Sequence, residues 1–215
     1  MPLSSNYSNS IQGVAYASDF DSEVRGIKIG TTAFNNDTHS FESTSDLDQI
    51  ITQIISRRAI DRGLIAINLQ NQAQTIGDSL SIDILSSGVK GIDQHLAELQ
   101  AQGIDLFIFV RDNENAADPL FQSGFAVHGS GYLFKQFFGL KTSAVYFNPK
   151  IIFIDVETKL AKVVSIPRTF EKTNLIPAKE ESFESFIEAN QSNIQEALDT
   201  LIKAELPGLL EKKGF

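Results

Sequence analysis

Leu106-Phe107-Ile108-Phe109-Val110 opens a block, running to Arg168, whose reading decides the fold. After LFIFV at 106–110 come GFAVHGSGYLF at 124–134, SAVYF at 143–147, KIIFIDV at 150–156 and LAKVVSIP at 160–167. Each is a short apolar run, rich in β-branched and aromatic residues and set off by turn-forming residues, which is the pattern of a strand. The block reads as consecutive strands, the later ones antiparallel, with a turn at Glu157 to Lys159 joining two of them. No histidines, carboxylates or cysteines gather at the strand ends, where α/β proteins usually build sites. The block therefore reads as scaffold.

Toward the N-terminus, Gly91 precedes Ile92, His95, Leu96 and Leu99 at helical spacing, and Gly103 supplies the stop before a strand at Asp105 to Val110. Ser79 to Ser87 carries no clear period, the Asn/Gln-rich stretch to Gly77 reads as loop, and Leu64 to Leu69 reads as a short strand. Ser45 stands as N-cap of a helix at 46–60, with Asp46 and Asp48 in the first turn, where carboxylates complement the helix dipole. Leu47, Ile50, Ile51, Ile54 and Ile55 give that helix an apolar stripe, and it stops near Gly63. Asn35 to Thr44 reads as polar loop. Ile11 to Ser18 and Val24 to Phe34 read as a first strand pair around a turn at Asp19 to Ser22. Residues 1–10, MPLSSNYSNS, have nothing to bury and read as a flexible N-terminal arm.

Toward the C-terminus, Phe183, Phe186, Ile187, Ile194, Ala197, Leu198, Leu201, Ile202 and Leu206 fall on one helical stripe, ended by Pro207 and Gly208. Such a face docks either on the sheet or in a partner's groove. The order of elements predicts an α/β fold: one domain over residues 11–215, a mixed sheet of about six or seven strands, two early helices and a long C-terminal amphipathic helix on the sheet.

Composition excludes several classes. A net charge of −9 argues against nucleic acid and anionic membrane surfaces, since Arg57 and Arg58 are the densest basic pair before Lys212 and Lys213. No apolar run approaches the ~20 residues of a transmembrane span. The absence of cysteine removes disulfides, thiolate zinc sites and cysteine nucleophiles. A native Met1 would imply the cytoplasm; the Ser- and Asn-rich opening is equally typical of a chain whose leader has been removed, and then the expectation is the periplasm or envelope.

Gly77-Asp78-Ser79-Leu80 resembles the GDSL motif of SGNH-type serine hydrolases, which would make Ser79 a nucleophile and the N–H after it part of an oxyanion hole. No Gly-x-Asn-Asp block and no Asp-x-x-His follows, so the base would have to be His95 or His128 in another context, and a turn or N-cap role for Ser79 is the simpler reading. His39 in a polar loop, His95 on a helix edge and His128 in a strand show no metal-binding spacing, so no metal is expected. The loop from Asp112 to Asp118 lacks the glycine and terminal glutamate of a calcium loop. Gly129-Ser130-Gly131 lies inside a predicted strand and marks a bulge or close backbone approach rather than a phosphate loop, so no cofactor is expected. Tyr132, Phe134, Phe137, Phe138, Tyr146 and Phe147 surround a Gly139 turn, either as core or as an exposed aromatic hairpin tip that meets a partner.

Val14-Ala15-Tyr16-Ala17-Ser18-Asp19, Ile29-Gly30-Thr31-Thr32-Ala33-Phe34-Asn35-Asn36 and the helix opening at Asp46-Leu47-Asp48 resemble the start of a group of uncharacterised bacterial proteins. Ile152-Phe153-Ile154-Asp155-Val156-Glu157-Thr158 is similar to a later strand and turn of that group. The resemblance implies an exported or lipid-anchored, lipoprotein-like envelope protein and supplies no catalytic residues. The expectation is a non-catalytic binding or assembly protein that meets a protein partner or itself; the alternative is a serine hydrolase using Ser79.

Overall fold

A computed structural model describes residues 11–31, 35–83, 85–113, 129–165, 169–178, 181–211 and 214–215. The expected arm at 1–10 lies outside these residues, as do His128, most of the Asp112–Asp118 loop and the first part of the GFAVHGSGYLF run. In chain order the elements begin with β1 (Gly13–Asp19), β2 (Glu23–Ile29), β3 (Asp37–Glu42), α1 (Leu47–Asp61), β4 (Ile65–Asn68), α2 (Ala73–Ser79), β5 (Ser81–Ile82), β6 (Val89–Lys90) and α3 (Asp93–Ala101). They continue with β7 (Leu106–Asp112), β8 (Ser130–Phe137), β9 (Leu140–Phe147), β10 (Pro149–Asp155), β11 (Ala161–Ser165), β12 (Thr169–Thr173) and α4 (Phe183–Glu211).

The strands form two five-stranded sheets and a small ribbon, β5 with β6, in place of the single sheet of six or seven. The first sheet has the order β11-β10-β7-β1-β4 and the second β12-β9-β8-β2-β3. In the first, β7, β1 and β4 run parallel while β10 pairs antiparallel with both β7 and β11; in the second, among the described residues, only β2 and β8 pair in parallel.

The expected β1–β2 hairpin is absent, and its two strands belong to different sheets. The physical reason lies in β1, which is buried from Gly13 to Ser18 on both faces. A strand without a polar face belongs in the middle of a covered parallel sheet, so both its edges are taken by β4 and β7. The short turn after Asp19 thus carries the chain from one sheet to the other. The stretch read as polar loop at 35–44 contains β3, an edge strand in which Phe41 alone is buried, so it lacks the alternation that reveals half-buried strands.

Alternate β1 residues divide the interior. Val14 and Tyr16, with Leu106, Ile108 and Val110 of β7, join a cluster under α1 and α4, while Ala15 and Ala17, with Phe107 and Phe109, face α2 and α3. The larger cluster also takes Val24, Tyr132, Phe134, Val145 and Phe147 from the second sheet, so α4 covers both sheets and settles the docking choice in favour of the chain's own core. Asp46, not Ser45, caps α1, its carboxylate accepting the Gln49 N–H, and the Ser45 hydroxyl instead donates to Asp199 on α4 at 2.8 Å. Pro207 does not end α4; the helix continues to Glu211 because Leu209 and Leu210 on its last turn are buried. The Asn/Gln-rich segment read as loop forms a 3-10 turn and then α2, whose Ala73, Ile76 and Gly77 pack on the first sheet.

Candidate functional site

The chain passes from β1 by α1 to β4 on one side and returns by α2 and α3 to β7 on the other, so the winding reverses between β1 and β7. The crevice beyond the carboxyl ends of such strands is where open α/β sheets hold ligands. Here Asp48, from the first turn of α1, accepts the Phe20 N–H at 2.9 Å and the Gln70 side-chain N–H at 3.2 Å. Gln70 in turn brackets Ser18, accepting from its N–H at 3.0 Å and donating to its carbonyl at 2.7 Å. Burial lifts the Asp48 pKa above the usual carboxylate value, against the hydrogen bonds that favour its charge.

On the same edge Asp112, at the end of β7, accepts the Asp21 N–H at 3.4 Å. Burial first, and the neighbouring Asp21 carboxylate second, push the Asp112 pKa up to about 7. Asp21 is held by its own turn, accepting the Glu23 N–H at 2.9 Å and pairing with Arg25 at 3.3 Å. Asp19 sits against Gly77 of α2 so closely that a Cβ there would lie 2.3 Å from its carboxylate oxygen. The Asp48, Asp21 and Asp112 carboxylates are engaged in holding the crossing between the sheets, with α2 and Gln70 closing over the strand ends. The sequence hid this joint because its members are scattered from Ser18 to Asp112 and none has a motif around it.

Ser79 is the last residue of α2 and is exposed, on a helix rather than on the strand-to-helix turn that a nucleophile elbow uses. Neither is it an N-cap. Among the described residues no hydrogen bond joins it to His95, which is half-buried on α3. His39 is on β3 rather than in a loop, and its Nδ1 lies 3.9 Å from a Glu184 carboxylate oxygen. With Glu188, one turn further along α4, the three ligand atoms are within 4.8 Å of one another on the surface. Histidine spacing in the sequence could not reveal that grouping, because the carboxylates come from a distant helix.

Gly129 precedes β8 with φ +57, and a Cβ there would come 2.8 Å from the Asp112 carboxylate. Gly131 sits still closer to its neighbours, its Cβ position being 2.0 Å from the Arg25 carbonyl and 2.6 Å from the Tyr146 hydroxyl. The glycines of this strand thus permit close backbone approach along the β2–β8 seam.

The aromatics around Gly139 divide sharply. Tyr132, Phe134, Tyr146 and Phe147 are fully buried, whereas Phe137, Phe138 and Leu140 are 46%, 80% and 74% exposed. Backbone pairing between β8 and β9 continues to the last rung, Phe137 opposite Leu140, across a turn in which Phe138 and Gly139 have positive φ. Pairing with the flanking strands stops earlier, at Lys135 on the β2 side and Ser143 on the β12 side. The tip is therefore an ordered hairpin end that projects past its sheet with its apolar side chains outward. A pocket lined by Lys28, Thr31, Asn36, Asp37 and Gln136 opens beside it.

These features define a single-domain α/β protein of two mixed sheets joined under a long helix, with an apolar hairpin tip among the described residues. No family model and no curated protein matches the chain. Among solved structures it is similar to a lipoprotein from Neisseria meningitidis, at 7% identity over 84% of this chain and 94% of that one, with a TM-score of 0.32. It is also similar to a hypothetical protein from Chlamydia trachomatis, at 8% identity over 94% of this chain and 98% of that one, with a TM-score of 0.41. Among the described residues no helix is long and apolar enough to cross a membrane.

Proposed function

We propose that the protein is a non-catalytic binding or assembly protein of the bacterial cell envelope, and that the β8–β9 tip is its contact element. The observation that carries the reading is the exposure of Phe137, Phe138 and Leu140 together on a hairpin whose pairing is intact to its last rung. Large apolar side chains gathered on a rigid projection mark an interaction surface, because they are held out of the core by backbone hydrogen bonds instead of collapsing into it. The envelope part of the reading rests on the sequence resemblance at residues 14–19, 29–36 and 152–158.

Two experiments test it. Fractionation of source cells expressing the chain from its native gene is expected to place it with the periplasm or membranes; a purely cytosolic protein would remove the envelope part. A fluorophosphonate probe is expected to leave wild type and Ser79→Ala equally unlabelled, and labelling lost with Ser79→Ala would establish the hydrolase instead.

A further inference from the structure

We propose that the partner of the β8–β9 tip is an anionic phospholipid bilayer, into which Phe137, Phe138 and Leu140 insert as a shallow wedge. The inference rests on the reading of the tip as contact element and names what it contacts. Three observations converge on a lipid surface.

First, the apolar side chains occupy a projecting end and not a groove or broad face. Phe137 and Phe138 pack edge to face with centroids 4.5 Å apart, so the tip is a compact knob two rings wide. A knob of this size can be buried in the headgroup and acyl boundary, which reaches ~5–10 Å for interfacial elements, without deforming the rest of the protein.

Second, lysines stand at the base of the knob. Lys135 and Lys141 flank it on the two strands, and Lys135 Nζ lies 5.8 Å from the Phe137 ring centroid. Lys141 donates to the Pro177 carbonyl at 3.3 Å, which holds the segment carrying the exposed Ile176 beside the hairpin. Lys28 lines the adjoining pocket with Gln136. Long lysine stems beside exposed rings place ammonium groups at the level of lipid phosphates while the rings enter below them.

Third, the hairpin itself carries no carboxylate. From Ser130 to Phe147 there is no Asp or Glu, yet the hairpin contains Lys135 and Lys141, in a chain with 27 acidic residues and a net charge of −9. Asp37, lining the pocket, is the acidic group that faces Lys28. The whole-chain charge, which argued against anionic surfaces, therefore does not describe the tip. At physiological salt the screening length is ~8 Å, so the local lysines act while distant carboxylates are largely screened.

The test uses the full chain with vesicles of phosphatidylcholine alone and of phosphatidylcholine with phosphatidylglycerol, separated by flotation. The chain is expected to float with the anionic vesicles and to remain below with the neutral ones. Phe138→Ser and Leu140→Ser are each expected to weaken partition about tenfold. Lys135→Glu and Lys141→Glu are each expected to weaken it about fivefold or more, an effect that salt reproduces in wild type. Unchanged melting of these surface variants keeps the readout separate from folding. Absence of flotation, or flotation that survives both the Ser and the Glu variants, overturns the lipid assignment. Sedimentation velocity separates that failure from failure of the underlying reading. If Phe138→Ser dissociates a self-associated wild type that ignores vesicles, the tip remains the contact element and the lipid inference falls. If the tip variants alter neither assay, both fall.

Discussion

The Asp112 carboxylate accepts the Asp21 backbone N–H while the Asp21 carboxylate beside it adds to the burial that lifts the Asp112 pKa to about 7. The folded chain therefore holds this proton more tightly than the unfolded chain, in which the ordinary value of 3.8 applies. Between those two values the native state binds more protons than the unfolded state, so stability falls as pH rises. The contribution is fully present below about pH 4 and lost above about pH 8. Asp112→Asn keeps the shape and removes the charge. Its urea midpoint is expected to exceed that of wild type at pH 8 by the equivalent of about 2–4 kcal/mol, the gap closing toward pH 4. A gap that does not change with pH would contradict this role of Asp112.

Asp48 and Gln70 form the second brace of the same crossing. Asp48→Ala leaves the Phe20 N–H without its acceptor and the Gln70 amide with only the Ser18 carbonyl, and is expected to cost about 1–3 kcal/mol in chemical denaturation. Gln70→Ala is expected to cost less in the Asp48→Ala background than alone. Strictly additive losses in this double-mutant cycle would show that the two side chains do not act together.

Two glycines separate close approach from backbone conformation. Gly139 has φ +83 but open space at its Cβ position, so Gly139→Ala is expected to cost only the left-handed penalty of about 1–2 kcal/mol. Gly131 has an ordinary φ, but its Cβ would collide with the Arg25 carbonyl and the Tyr146 hydroxyl. Gly131→Ala is expected to exceed about 3 kcal/mol or to prevent soluble expression, because it forces β2 and β8 apart. Equal melting temperatures for the two variants would contradict the seam geometry.

Buried and exposed aromatics of the same hairpin should behave oppositely. Tyr132 donates to the Leu175 carbonyl at 2.5 Å and packs against Phe183 and Phe186, so Tyr132→Phe is expected to lose about 1–2 kcal/mol. Phe138→Ser, at a side chain 80% exposed, is expected to leave stability within about 0.5 kcal/mol of wild type. Thermal melts of the two variants check the contrast.

Fold class was legible because its signals are local. LFIFV, SAVYF and KIIFIDV announce strands by composition, and the stripe from Phe183 to Leu206 announces α4 by period. What the sequence concealed depends on distant partners. Nothing near Asp19 says that the chain leaves one sheet for another, since a short turn serves a hairpin equally well; the buried run from Gly13 to Ser18 was the available clue to a central parallel strand. β3 was missed because an edge strand with one buried residue has no periodicity, and α2 because the Asn/Gln-rich turn before it and its own short polar residues mask three buried positions. The Asp48, Gln70 and Asp112 joint could not be read from motifs at all. At the hairpin, Phe-Phe-Gly-Leu between two lysines was visible, but which aromatics face outward was decided only where the flanking strands stop pairing.

The absence of cysteine allows the most direct measurement of the central claim, that the β8–β9 tip is the contact surface. Phe138→Cys and, as a remote control on the exposed side of α4, Glu205→Cys would each carry one environment-sensitive fluorophore and be mixed with the envelope fraction of the source cells. The probe at position 138 is expected to shift to the blue while the probe at 205 does not change. No shift at 138, or the same shift at both positions, would contradict the claim.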